Sequence, residues 1–359
     1  MSIRTFARSI PILILPILFA GCGDYNKPTP STQTPHFAFV ANFISNSIST
    51  YSLSSETGQL APKDTVPTGG VNARVIAVEP TGRFAYVGNI SSNDISIFAI
   101  DAQTGSLSMV GSPVPTEDSP AFIVVGPTGN LLYVVNENSN HITAFSINPN
   151  TGALAALTGA VTTDDKPVAL TFHPSGRFAY VVNGLSNDIT VYAVDNSGAL
   201  GLLGATPALT NPGAITILPS GKFAYVVNLG SNDITIFSID AASGALQPLT
   251  PRVAAAGGPT SFTIDSQGRF AYVTNINAGN VSVFAIDAAT GALTPTSTAP
   301  AGNNPIALTL DPSGSYAYVA NLSSDNITQF AVDSPTGALT PVGAPVNAGM
   351  GPVWVAITK

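Results

Sequence analysis

The sequence predicts an all-β fold, a seven-bladed β-propeller of four-stranded antiparallel blades, and three observations carry that prediction. A phrase ending in asparagine recurs seven times from residue 36 onward: FAFVAN, FAYVGN, LLYVVN, FAYVVN, FAYVVN, FAYVTN and YAYVAN. Its terminal residues Asn42, Asn89, Asn136, Asn183, Asn228, Asn275 and Asn321 are 47, 47, 47, 45, 47 and 46 residues apart, a period that fits a propeller or a solenoid. The first copy lacks its leading strand, and the chain ends on an unpartnered one, Pro352 to Ile357. Pairing that tail beside Phe37 to Ala41 completes a blade and closes the ring, so no sheet edge needs capping. A solenoid gains nothing from such a split.

Within one period four strand-like runs are read, for instance Arg74 to Val78, Phe84 to Gly88, Ile95 to Ile100 and Leu107 to Gly111. We label them a, b, c and d. The a-b connection is a Pro-x-Gly turn (Pro80-Thr81-Gly82, Pro174-Ser175-Gly176, Pro219-Ser220-Gly221, Pro312-Ser313-Gly314). Proline fixes φ there and glycine accepts the positive φ that follows. The c-d connection is a Thr-Gly or Ser-Gly turn opened by Asp101, Asp240, Asp287 or Asp333. A carboxylate in that place accepts local backbone N–H groups, so these acids are read as turn formers. Alternating strand direction puts the a-b and c-d turns on one face, and the b-c loops with the d-a crossovers on the other.

Composition limits the function. Only 9% of residues are charged and 45% are hydrophobic, with polarity carried by Ser, Thr, Asn and Gly, which suits short strands and tight turns. Formal charge is -8, and without Arg4 and Arg8 the remaining 10 basic against 20 acidic residues give -10. That balance argues against a nucleic-acid backbone as partner.

Residues 1–21 read as an export signal, with Arg4 and Arg8 ahead of the apolar run Ile10 to Phe19 and small residues Ala20-Gly21 before Cys22. Leu18-Phe19-Ala20-Gly21-Cys22 resembles a bacterial lipobox, which implies lipidation of Cys22, the only cysteine, and a membrane attached through that anchor. Gly23 rather than Asp follows it, which by the Gram-negative sorting pattern points to the outer membrane. Residues 22–35 are a polar, Pro-rich tether, and residues 36–359 form the propeller.

The repeated Ser-Asn-Asp-Ile of the b-c loops has a superficial calcium-ligand look, but each loop lacks a second acidic ligand and the pattern is a turn signature. No metal and no cofactor is expected. His36, His141 and His173 fall on separate loops and are not expected to share an ion.

The combined phrase P-S-G-x-F-A-Y-V-x-N, S-N-x-I-[ST]-[VI]-[FY] and D-x-x-[TS]-G-A-L resembles the YVTN-repeat propellers and the seven-bladed propeller lactonases, the group that includes 6-phosphogluconolactonase and the muconate-lactonizing enzymes. The resemblance covers residues 36–359. It implies a His at the start of strand a in one blade, an Arg at that place in the next, and a Glu directly after the second blade's Asn. Counting six residues back from the turn proline puts Ala121 and Val168 at the first two places, and Gly184 follows Asn183. One blade earlier the same places give Arg74, Ala121 and Glu137, with His141 nearby in sequence. Arg74, Glu137 and His141 are therefore the candidate catalytic set, in altered order.

Acidic and basic groups gather in two d-a crossovers on the same face, Glu117-Asp118 and Asp164-Asp165-Lys166, which form the candidate ligand-binding set. Elsewhere the mouth is poor in charge, which suits a protein or a small apolar ligand better than a sugar phosphate. The leading expectation is a cell-envelope binding module acting through the b-c/d-a face. The alternative is a lactone hydrolase with a degenerate or altered site.

Overall fold

The computed structural model describes residues 36–358. The signal, lipidation and tether expectations for residues 1–35 lie outside the described residues. Seven antiparallel sheets follow one another in the order a, b, c, d. In the second blade, for example, a is Ala73–Val78, b is Phe84–Asn89 and c is Asp94–Ile100. The predicted continuous outer strand Leu107 to Gly111 is instead two pieces, Leu107–Met109 and Val114–Pro115, both paired to strand c. Gly111 turns the chain with φ +67° between them, and Pro113 has no N–H to offer a ladder.

The first blade is completed across the chain ends. Pro352–Ile357 pairs with His36–Asn42 in the register Ala38 to Ile357, Phe39 to Ala356, Val40 to Val355 and Ala41 to Trp354. One residue further, Thr358 N–H donates to the Phe37 carbonyl at 3.0 Å and its hydroxyl accepts Phe37 N–H at 2.9 Å. His36, expected merely to precede the first strand, belongs to it and its Nδ1 lies 3.2 Å from the Thr358 carbonyl.

Among the described residues there is no single central core. Apolar side chains form seven clusters, one between each pair of adjacent blades, including those on either side of the shared blade. The repeated phrase explains this. Its aromatic residues reach the c-d turn of the following blade: Tyr86 Oη donates to the Gly152 carbonyl at 3.1 Å and Tyr180 Oη to Gly244 at 2.9 Å. A Cβ on Gly244 would sit 2.5 Å from the Phe178 ring at φ +74°, so the turn glycine is fixed both by conformation and by contact. At closure Tyr318 Oη makes the same bond to Gly58, at 2.8 Å.

The asparagine ending each phrase is fully buried and brackets its own b-c hairpin. Asn183 Nδ2 donates to Asp188 Oδ1 and to Thr190 Oγ1, both at 2.7 Å, and Asn89 and Asn228 repeat the pattern with Asp94 and Asp233. The Asp of Ser-Asn-Asp-Ile thus accepts a bond within its own loop, as a turn former does.

Candidate functional site

Strand a of every blade lines the central channel, and each begins with a β-bulge. Ala73 pairs with Asn89 and Val75 with Gly88, which leaves Arg74 unpaired in the ladder. The same one-residue slip frees Ala121, Val168, Gly213, Thr260, Ile306 and Val353. A bulge re-aims the extra side chain, and here all seven line one channel of about 630 Å³. They make a ring at the b-c/d-a mouth in which Arg74 is the one charged member.

Arg74 is exposed to the channel solvent, with the walls of the propeller around it. That enclosure lowers its pKa, and the nearby Glu137 carboxylate partly restores it. The guanidinium stays protonated at neutral pH. Glu137 comes from the third blade's b-c loop, where its N–H donates to the Ser119 carbonyl at 2.8 Å. Lys166 Nζ lies 3.5 Å from Glu137 Oε1. The structure therefore brings Arg74, Glu137 and Lys166 to one side of the mouth.

The backbone around Glu137 departs from the repeat. In each blade the residue after the buried Asn donates its N–H to a crossover residue with left-handed backbone: Gly351, Asn72, Ser119, Lys166, Asn211, Gly258 and Asn304. Five of the seven are Asn or Gly, the types that accept that conformation readily. The exceptions, Ser119 at φ +61° and Lys166 at φ +55°, are the two whose backbone or side chain contacts Glu137. Left-handed backbone costs an ordinary side chain on the order of 1 kcal/mol, and an exposed ion pair returns roughly 0–1 kcal/mol. Replacing Lys166 with Asn is therefore expected to raise the thermal midpoint by roughly 2 °C while weakening whatever Glu137 does. Calorimetry beside an activity assay checks both, and a lowered midpoint with unchanged activity contradicts the assignment.

His141 does not join that trio by any direct contact. Its Nδ1 is 2.7 Å from Glu117 Oε2, a rim pair in which both side chains are about one-third exposed, at 36% and 35%. His141 occupies the place of Asp94 and Asp188, so Asn136 bonds its carbonyl, at 3.4 Å, and the imidazole is left to the rim. Asp164 accepts the Thr190 hydroxyl at 3.3 Å, Asp165 accepts Asn140 Nδ2 at 3.2 Å, and Asp118 contributes its carbonyl to Asn138 N–H at 3.3 Å. Sequence reading did not join Asp188 to this group. Its carboxyl is pushed up by burial, with Asp164 and Asp165 adding to the rise.

The channel wall was also not legible beforehand. Phe122 and Trp354 meet edge to face with ring centroids 5.5 Å apart, although the second blade lies between the blades that carry them. Phe262 stacks on Tyr225 at 5.0 Å. Thr216, Thr263 and Thr309 spend their hydroxyl protons on carbonyls of the next inner strand, Phe262, Leu308 and Val355, at 2.5, 2.8 and 2.6 Å. At the opposite end Asp311 is tied into its own turn by Ser313 and Tyr316.

Fold and mouth together define a seven-bladed propeller with an axial cavity of small-molecule size. The chain belongs to the family described as lactonase, 7-bladed beta-propeller, whose model matches residues 31–119, 109–171, 161–309 and 296–357. No curated protein matches it. Among solved structures, a 6-phosphogluconolactonase candidate from Bacteroides fragilis is 22% identical with a TM-score of 0.81, over 92% of this chain and 100% of the other. A similar candidate from Bacteroides uniformis is 22% identical with a TM-score of 0.79, over 90% and 100%. The Pseudomonas aeruginosa periplasmic gluconolactonase is 19% identical with a TM-score of 0.80, over 90% and 99%. At such identities the structures establish the shared fold. Nothing in these comparisons supports the leading expectation of a binding module, and family membership favours the lactonase alternative.

Proposed function

We propose that the protein hydrolyses cyclic esters at the b-c/d-a mouth of its channel. The observation that carries the reading is a lone cation, Arg74, in the mouth ring of a cavity large enough for a small ligand, with the carboxylate of Glu137 on the b-c loop of the next blade at the same mouth. Arg74 stabilises the oxyanion that forms when the lactone carbonyl is attacked. Glu137 accepts a proton from the attacking water and returns it to the ring oxygen as the acyl C–O bond breaks. Water is thereby added across that bond, and the product is a hydroxy acid. Lys166 holds the Glu137 carboxylate in place, and the His141–Glu117 pair shapes the rim. The test is hydrolysis of a lactone panel by the purified full-length protein, followed by proton release. No rate above the uncatalysed blank for any member sinks the proposal.

For its location we propose an envelope protein anchored through lipid on Cys22. The motif residues 18–22 support this reading. Cys22→Ser is expected to move the protein out of the membrane fraction and to abolish labelling by a fatty-acid probe. Retention of both in the variant rules the anchor out.

A further inference from the structure

We propose that the ligand of this channel is an uncharged lactone carrying an apolar alkyl or aryl substituent, with the ring at Arg74 and the substituent running down the channel. For the reaction itself, though not for the ligand class, this rests on the lactone-hydrolase reading. The wall is built from Phe122, Val124, Leu170, Ile215, Phe262 and Trp354. Of the wall hydroxyls, Thr216, Thr263 and Thr309 already give their protons to wall carbonyls and Thr260 and Ser261 are engaged with Thr274, which leaves Thr171 and Ser266 for a polyhydroxylated ring. Asp311 is the other charged residue of the lining, and both its oxygens are occupied by its own turn.

A phosphate fares worse. Recognition of a phosphate uses several charge-assisted donors, whereas the mouth ring holds one, Arg74. Lys166 is committed to the Glu137 carboxylate, and Glu117, Asp118, Asp164 and Asp165 populate the neighbouring crossovers. The field at this rim repels an anionic substrate and favours release of the anionic hydroxy acid once the ring opens.

Gly213 sets the opening. It occupies the bulge of the fifth blade, across the ring from Arg74 in the second, where the other blades carry Ala, Val, Thr or Ile. A Cβ built on Gly213 meets nothing within 4 Å, and its backbone lies outside the left-handed region. A large side chain there fills the mouth without strain.

The chain has one tryptophan, Trp354, and it lies in the channel wall, so its emission reports occupancy independently of turnover. The probes are a pentyl-substituted δ-lactam, which resists hydrolysis, and the polyhydroxylated lactam of gluconic acid, each titrated into the full-length protein. The alkyl lactam is expected to give a saturable blue shift and to bind at least about tenfold more tightly than the sugar lactam. Gly213→Phe is expected to weaken alkyl binding at least about tenfold with the thermal midpoint unchanged. Val168→Phe, on the same ring, serves if the first variant fails to fold. Equal or tighter binding of the sugar lactam overturns the proposal, as does alkyl binding indifferent to both substitutions. If the alkyl lactam binds but no lactone is hydrolysed, the ligand class stands and the hydrolase reading falls. If glucono-δ-lactone is hydrolysed and δ-decalactone is not, the reaction stands and the ligand class falls.

Discussion

A chain ending at Gly351 is expected to lose cooperative folding altogether. The missing segment is the inner strand of the first blade, and it buries Val353 and Val355 almost completely, with Ala356 close behind. Each buried valine contributes roughly 1.5–3 kcal/mol, and the ladder against Phe39 and Val40 is lost with them. Its removal also strips one wall from the clusters on both sides of the first blade. A total stability of about 5–15 kcal/mol does not survive such a loss. Calorimetry is expected to show no sharp transition. Moving residues 352–358 ahead of His36 through a Pro-Ser-Gly turn, as in the other blades, is expected to restore it. A truncated chain that melts like the wild type refutes this account of ring closure.

Glu137→Gln is expected to lower kcat/KM for a hydrolysed lactone by about 10²–10⁴, the usual worth of a general base. Arg74→Ala is expected to lower it by about 10²–10³, as for loss of an oxyanion donor. Both groups act on one intermediate, so the double variant should fall well short of the product of the two losses. His141→Ala is expected to change the rate by less than about threefold, because its partner is the rim residue Glu117 and not the trio at the mouth. Neither Arg74 nor Glu137 belongs to an interblade cluster, so thermal midpoints should stay within a few degrees of the wild type. Full activity in both variants removes these residues from the mechanism and sends the search for a base to Glu117, Asp164 or Asp165.

Much of this molecule is legible along the chain because its contacts repeat. FAYVxN, the Pro-x-Gly turn and the Thr-Gly turn each encode one local conformation and one contact with the next blade. Seven copies, with the leading strand displaced to the far end, then permit one closed arrangement, and His36–Asn42 does pair with Pro352–Ile357. The candidate site is legible only as departures from the repeat: Arg74 where other blades carry small or apolar residues, Glu137 after Asn136, and Lys166 where Asn or Gly is the rule.

What the sequence by itself determined was the number of blades, the way the ring closes and the face on which charge collects, since all three follow from period and strand direction. Tertiary structure decided which charges meet. Lys166 is 29 residues from Glu137, yet neighbouring blades bring the two within 3.5 Å, while His141, four residues from Glu137, turns to Glu117 instead. The bulge at the start of each strand a was likewise invisible, because a one-residue slip in pairing is a relation between two strands and leaves no mark on either one alone.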